Sequence, residues 1–468
     1  MKISFHGAAR TVTGSKHLIR LNNGKKILLD CGMFQGMGRD TDKFNRDWGF
    51  EPSEVDHVIL SHAHIDHSGL LPKLVKDGYN GKIYCTPATA SLAKLLLIDS
   101  ARIQEADVRY TNKQRQKENR PLVEPLYTEA DAALVFSLFE TIPYDEHFKI
   151  EEGIELLFTD AGHILGSAAV NLSISEKGRE PVGITFSGDI GRYRDMILRS
   201  PAEFPQADYI IMESTYGDRL HELATVAVDT LLEHIQSTCF EKKGKLIIPA
   251  FSLGRTQEIL FMLNRLELER RLPKLSYFVD SPLSIKITEA VKHYPDHFNA
   301  HTRKLLLKEE DVFAFQGLKF IQDVEDSIAL NDSSQPCVII SSSGMAEAGR
   351  VKHHIAHNVS DAKNTILFTG YCEPASLGGR LKLQPDEVRI FGRLLPVRAG
   401  IAEIASLSAH GDYEDMSQWL GCQLPREVRK VFLVHGEYET QLNFRNRLVK
   451  KGFLDVEIPN QHQEIGLG

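Results

Sequence analysis

Short runs of apolar residues, each closed by a polar one, dominate the first two hundred positions. Ile27-Leu28-Leu29 stops at Asp30, Val58-Ile59-Leu60 at Ser61-His62, and Ile184-Thr185-Phe186 at Ser187-Gly188-Asp189. Runs of this length predict buried strands that deliver a side chain at their ends. Helical spacing is expected over about 89–108 and 129–139, with a polar surface loop through Arg120-Pro121. From about Tyr209 the pattern becomes apolar strand, then helix, repeatedly. Strands at 209–212, 246–248 and 338–340 precede helices near 225–239, 255–266 and about 347–356, and 365–368 is a further strand. This alternation predicts a parallel α/β unit. Strands at 401–407 and 431–434 then lead to His410 and His435, and the chain has no internal repeat.

Composition narrows the class. At 468 residues, with 42% hydrophobic and 25% charged positions, the chain is neither disordered nor collagen-like, and its length suits two or three domains. No stretch reaches the ~18 uninterrupted apolar residues of a membrane span. Met1 to His6 looks like a strand rather than a secretory signal. Six scattered cysteines without a C-x-x-C pair predict free thiols, and with them a cytoplasmic location. A net charge of -8 argues against coating nucleic acid through bulk charge, but leaves room for a local basic groove.

The 19 histidines carry the chemistry. Ser61-His62-Ala63-His64-Ile65-Asp66-His67-Ser68-Gly69 presents imidazoles at i and i+2, then a carboxylate and a third imidazole. On a tight loop after a strand these groups address two adjacent points, and neutral imidazole with carboxylate suits zinc and similar ions. As a merely histidine-rich surface loop, the string would repel itself on protonation. This H-x-H-x-D-H string is the signature of the metallo-β-lactamase superfamily, which the chain resembles over nearly its whole length. Asp30 in L-L-D-C-G, His163 in A-G-H-I-L-G-S and Asp189 in F-S-G-D-I-G match in order. Glu213 in M-E-S-T-Y-G, His410 in S-A-H-G-D and His435 in V-H-G-E narrow the resemblance to the β-CASP ribonuclease group, which includes the cleavage-and-polyadenylation endonuclease subunit.

That resemblance implies an α/β fold: an αββα sandwich with an inserted β-CASP domain over the metal site. The expected divisions are 1–213, an insertion at 214–395, and 396–468. It implies two divalent ions, zinc first and manganese as the alternative. His62, His64 and His163 would hold one, Asp66, His67 and His435 the other, and Asp189 would bridge them. Asp30 would orient a ligand histidine or the bound water. A hydroxide held between the ions would attack phosphorus in line. His410 would donate a proton to the leaving alkoxide, with Glu213 holding its tautomer; Asp66 and Asp30 complete the expected catalytic set.

By the same resemblance the inserted domain makes a groove for single-stranded RNA. His435 favours RNA, because DNA-directed relatives usually carry an apolar residue there. Three turns offer phosphate contacts: Ser252 with Arg255, Ser342 and Ser343 with Arg350, and Arg380 after Gly378-Gly379. None is a P-loop. The basic stretch at Arg102, Arg109, Lys113, Arg115, Lys117 and Arg120 is interleaved with Gln and Glu, and is expected to be a solvated face. The expectation is a ribonuclease leaving 5′-phosphate and 3′-hydroxyl ends, with a homodimer open. At this length it would lack the KH-type extension of many archaeal relatives and the long C-terminal domain of ribonuclease J. The rivals are a DNA-directed β-CASP nuclease, a hydrolase of small esters or thioesters, and a non-catalytic RNA-binding subunit; the full ligand set disfavours the last.

Overall fold

The computed structural model describes all residues except 177, 179, 222, 223, 371 and 405. It divides into two compact units. The first comprises Met1–Tyr193, Arg199–Leu220 and His410–Gly468; the second comprises Arg194–Leu198 and His221–Ala409.

The first unit is built on two seven-stranded sheets. One runs Glu464–Gly466, Lys2–Gly7, Lys16–Arg20, Lys26–Leu29, His57–Ile59, Lys82–Cys85, Phe139–Thr141. The other runs Val456–Glu457, Lys430–Leu433, Tyr209–Met212, Val182–Phe186, Ala168–Ile174, Ile154–Asp160, His147–Glu151. Their facing sides share one core: Phe5, Ile27, Leu29 and Ile59 from one sheet pack with Phe158, Val170, Phe186, Ile211 and Phe432 from the other. Helices cover the outer faces. Met416, Trp419, Phe444 and Leu448 close over Ile210, Met212 and Leu433 on the far side of the second sheet. The result is a four-layer αββα sandwich.

The second unit holds a six-stranded, all-parallel sheet in the order Leu318–Phe320, Ser276–Val279, Cys337–Ser341, Lys245–Pro249, Thr365–Phe368, Gly400–Glu403. Cys337–Ser341 and Lys245–Pro249 are buried at every position, as continuous apolar runs must be when helices cover both faces. Because Gly400–Glu403 pairs with Thr365–Phe368, the second unit extends to Ala409, beyond the expected division at 395.

Other boundaries also differ from expectation. The helix expected over 89–108 spans Pro87–Lys117, started by the Thr86 hydroxyl and by proline in its first turn. It therefore carries Arg109, Lys113, Arg115 and Lys117, and Arg102 and Arg109 pair with Glu129 and Glu105. The helix expected over 129–139 stops at Val135, since Phe139–Thr141 joins the sheet beside Lys82–Cys85. The helix expected from 347 starts at Arg350, after Gly349 with φ 77°. Of the strand expected over 401–407, Gly400–Glu403 forms, and residue 405 lies outside the described residues.

Candidate active site

Five chemistry-bearing segments leave the carboxyl ends of strands that pair in parallel. Asp30 follows Lys26–Leu29, the histidine string follows His57–Ile59, and Asp189, Glu213 and His435 follow the strands ending at Phe186, Met212 and Leu433. Carboxyl ends of parallel strands are where α/β folds bind ligands. Asp30 (φ 57°) and His435 (φ 49°) sit in the left-handed region, which turns each chain sharply out of its strand.

Two donor clusters result. His62, His64, His163 and Asp189 offer ligand atoms within 4.8 Å of one another, as do Asp66, His67 and His435. In the first, His64 Nδ1 lies 3.2 Å from His62 Nε2 and 3.3 Å from His163 Nε2. In the second, His67 Nε2 lies 3.2 Å from His435 Nε2, which lies 3.4 Å from Asp66 Oδ2. Asp189 faces both clusters with separate oxygens. Its Oδ2 is 3.5 Å from His62 and 3.6 Å from His163, and its Oδ1 is 3.3 Å from His67 and 3.6 Å from His435.

The donor set fits divalent cations. Asp189 Oδ1 is buried without a hydrogen-bond partner, and an unpaired buried carboxylate oxygen is costly. Burial holds His62 well below the usual histidine range and brings His64 down to about 4, so both are neutral donors. Burial opposes ionisation of Asp66, yet the nearby imidazoles of His435 and His67 bring it to about 2. Burial also opposes charge on Asp189, but surrounding imidazoles, His435 and His67 foremost, keep it ionised. Carboxylates thus call for positive charge among imidazoles too buried to supply much of it. His67 is the exception: burial works against its cation, but Asp189 and Asp30 raise it well above the ordinary value.

Asp30 lies behind this pocket, fully buried. Its Oδ2 accepts from His67 Nδ1 at 2.6 Å, Ser61 Oγ at 2.9 Å and Ser15 Oγ at 3.2 Å, and its Oδ1 accepts from the Ser61 amide at 2.8 Å. Holding His67 by Nδ1–H leaves Nε2 to face the second cluster. Ser15 and Ser61 were missed by sequence reasoning. Ser61 opens the histidine string and could have been singled out; Ser15 carried no signal.

His410 and Glu213 adjoin the clusters. Glu213 is fully buried, and both its oxygens lie 3.1 Å from His410 Nδ1. Glu213 Oε1 also accepts from the Ile190 amide at 2.5 Å. The His410 side chain keeps 22% of its surface, against 2% for Asp189, so incoming substrate can reach it. Burial lowers its affinity for a proton, but the Glu213 and Asp189 charges outweigh that and raise its pKa to about 9.

The residues expected to contact RNA lie in the second unit, and all three arginines have partners within it. Arg255, 8% exposed, pairs with Glu258. Arg350 pairs with buried Asp280 at 2.6 Å and bonds the Gln322 carbonyl at 2.6 Å. At both of these helix starts the guanidinium is thus already paired within the unit. Arg380 is the most open: its side chain is 44% exposed, its Nε donates to the Ser376 carbonyl at 3.3 Å, and it pairs with Glu347 at 3.9 Å. Ser342 shares a hydrogen bond with Ser281 at 2.7 Å, the Ser252 carbonyl accepts from Gln257, and the Ser343 hydroxyl lies 3.5 Å from the Ala348 carbonyl.

Comparison with known proteins agrees with this geometry. The profile of the metallo-beta-lactamase superfamily matches residues 13–233, the Beta-Casp domain 256–381, and a Zn-dependent metallo-hydrolase RNA specificity domain 394–459. Ribonuclease TTHA0252 of Thermus thermophilus is 34% identical over 452 residues, 97% of either chain. An RNase J-like protein of Methanocaldococcus jannaschii is 30% identical over 460 residues, 98% of this chain and 97% of its own. Cleavage and polyadenylation specificity factor 73 of Drosophila melanogaster is 30% identical over 420 residues, 88% of this chain and 57% of its own. Two nearly full-length likenesses, with the donor clusters and the His410–Glu213 pair in place, make the chain a member of the β-CASP ribonuclease group of the metallo-β-lactamase superfamily.

Proposed function

We propose that the protein is a metal-dependent ribonuclease of RNA processing or decay, acting on single-stranded RNA with two zinc ions. The observation that carries this reading is His410, held by Glu213 beside two donor clusters that share Asp189. His62, His64 and His163 with Asp189 would hold one ion, and Asp66, His67 and His435 with Asp189 the other. Bound there, the ions would supply Lewis-acid polarisation of the phosphoryl group and acidify water. All-nitrogen and carboxylate donors around imidazole-rich clusters favour zinc over magnesium.

The chain's own groups do the rest. His410 carries a proton at neutral pH, and donating it to the departing 3′ oxygen leaves a 3′-hydroxyl and a 5′-phosphate. Glu213 keeps that imidazole oriented through Nδ1, and Asp30 does the same for His67. The described cysteines are all free, which suits a reducing, cytoplasmic setting.

Purified protein incubated with 5′- and 3′-labelled single-stranded RNA and DNA tests the reading: RNA is cut and DNA spared. His410→Ala retains both metals while losing about 10²- to 10⁴-fold in cleavage rate. Intact RNA after incubation of fully metallated wild-type protein would sink the reading, and full activity in the variant would remove His410 from the chemistry.

A further inference from the structure

We propose that Thr215 is a positioning residue whose single hydroxyl ties the ligand His435 to the Glu213–His410 pair; this rests on the metal-site reading above. Thr215 Oγ1 lies 2.6 Å from Glu213 Oε2, 3.0 Å from His435 Nδ1 and 3.1 Å from the His435 carbonyl. The hydroxyl has one proton to give. The carboxylate is the nearest and the only charged acceptor, so it takes that proton.

The Thr215 oxygen then meets His435 Nδ1 as an acceptor, so that nitrogen carries a hydrogen. Asp189 Oδ1, 3.6 Å from the same nitrogen, asks for the same tautomer. His435 Nε2 is left with its lone pair directed at His67 Nε2 and Asp66 Oδ2, which is the form a metal ligand needs. The same hydroxyl anchors Oε2 of the carboxylate that orients His410. His435 also needs anchoring, because its backbone is left-handed (φ 49°) and is pinned by the Ser214 amide on its carbonyl and by the Ala8 carbonyl on its amide.

The hydroxyl is testable apart from the methyl group. Thr215→Val keeps the shape and removes the hydroxyl, whereas Thr215→Ser keeps the hydroxyl. Apo protein is titrated with zinc ion against a competing chelator, and kcat and KM are measured on a labelled RNA. The expected result for T215V is a second zinc bound about 10- to 100-fold more weakly, with kcat reduced and KM little changed. T215S should recover wild-type zinc affinity to within about threefold, as expected if the hydroxyl alone sets the tautomer.

Wild-type zinc affinity in T215V overturns the proposal, as does a T215S protein as weak as T215V. Loss of the cooperative melt in both T215V and T215A would make Thr215 a folding element, and would overturn the positioning role too. A wild type that takes up two zinc ions but leaves RNA intact defeats the ribonuclease reading while the affinity comparison stands. A wild type that binds no second zinc defeats both.

Discussion

Replacing Asp30 by Asn isolates what the buried carboxylate does for the metal site. Asparagine matches aspartate in size and tolerates the left-handed backbone at φ 57°, so the substitution changes charge and hydrogen-bonding capacity with little strain. The Ser61 amide cannot rotate, so the one remaining carbonyl oxygen stays with it at the Oδ1 position. The new NH₂ then occupies the Oδ2 position, facing Ser61 Oγ, Ser15 Oγ and His67 Nδ1. Both hydroxyls can turn to accept. His67 can accept only by moving its proton from Nδ1 to Nε2, the nitrogen that faces His435 at 3.2 Å. That removes a donor from the second cluster. The lost charge-assisted bond is worth about 1.5–3 kcal/mol of stability. Disturbing a group that orients a ligand histidine lowers metal affinity about 10- to 100-fold, or roughly 1.4–2.7 kcal/mol. Chelator competition on the purified variant reads the affinity, and urea unfolding reads the stability. Asp30→Asn binding both ions as tightly as wild type would refute the assignment of Asp30 as the group that sets the His67 tautomer.

Three further predictions concern other parts of the chain. Asp160 accepts from the Gly162 amide at 2.9 Å, next to His163, and burial raises its carboxyl from 3.8 to about 6 despite Arg199. A raised carboxyl stabilises the fold fully below its unfolded value near 3.8, and that contribution, at most about 3 kcal/mol, is lost as pH rises through about 6. Urea unfolding between pH 4 and pH 7 should show this slope in wild type and not in Asp160→Asn; identical slopes would contradict it. Arg380→Ala should weaken RNA binding and reduce the salt dependence by about one ion equivalent. Arg255→Ala, by contrast, should destabilise the fold by about 3–5 kcal/mol by stranding Glu258. Equal salt slopes for wild type and Arg380→Ala would exclude that arginine from RNA contact.

The donor groups were legible because the segments that carry them follow strand ends. Asp30, Glu213 and His435 follow apolar runs directly, and His62 and Asp189 follow theirs after one and two residues; a run of that kind states both that a strand is buried and where the chain emerges from it. Partners from distant strands left no such trace. Ser15 reaches Asp30 from just ahead of a neighbouring strand, and Asp280 neutralises Arg350 across 70 positions of sequence, so nothing local marks either contact. The same limit explains the arginines. A guanidinium at the start of a helix looks identical in sequence whether it meets a phosphate from outside or a distant buried carboxylate from within, and only the folded chain shows that Arg350 meets Asp280. The metal donors escape this ambiguity for a physical reason. Seven imidazole and carboxylate groups brought together without enough hydrogens to pair them have few stable arrangements other than around cations, whereas an arginine has many carboxylates to choose from.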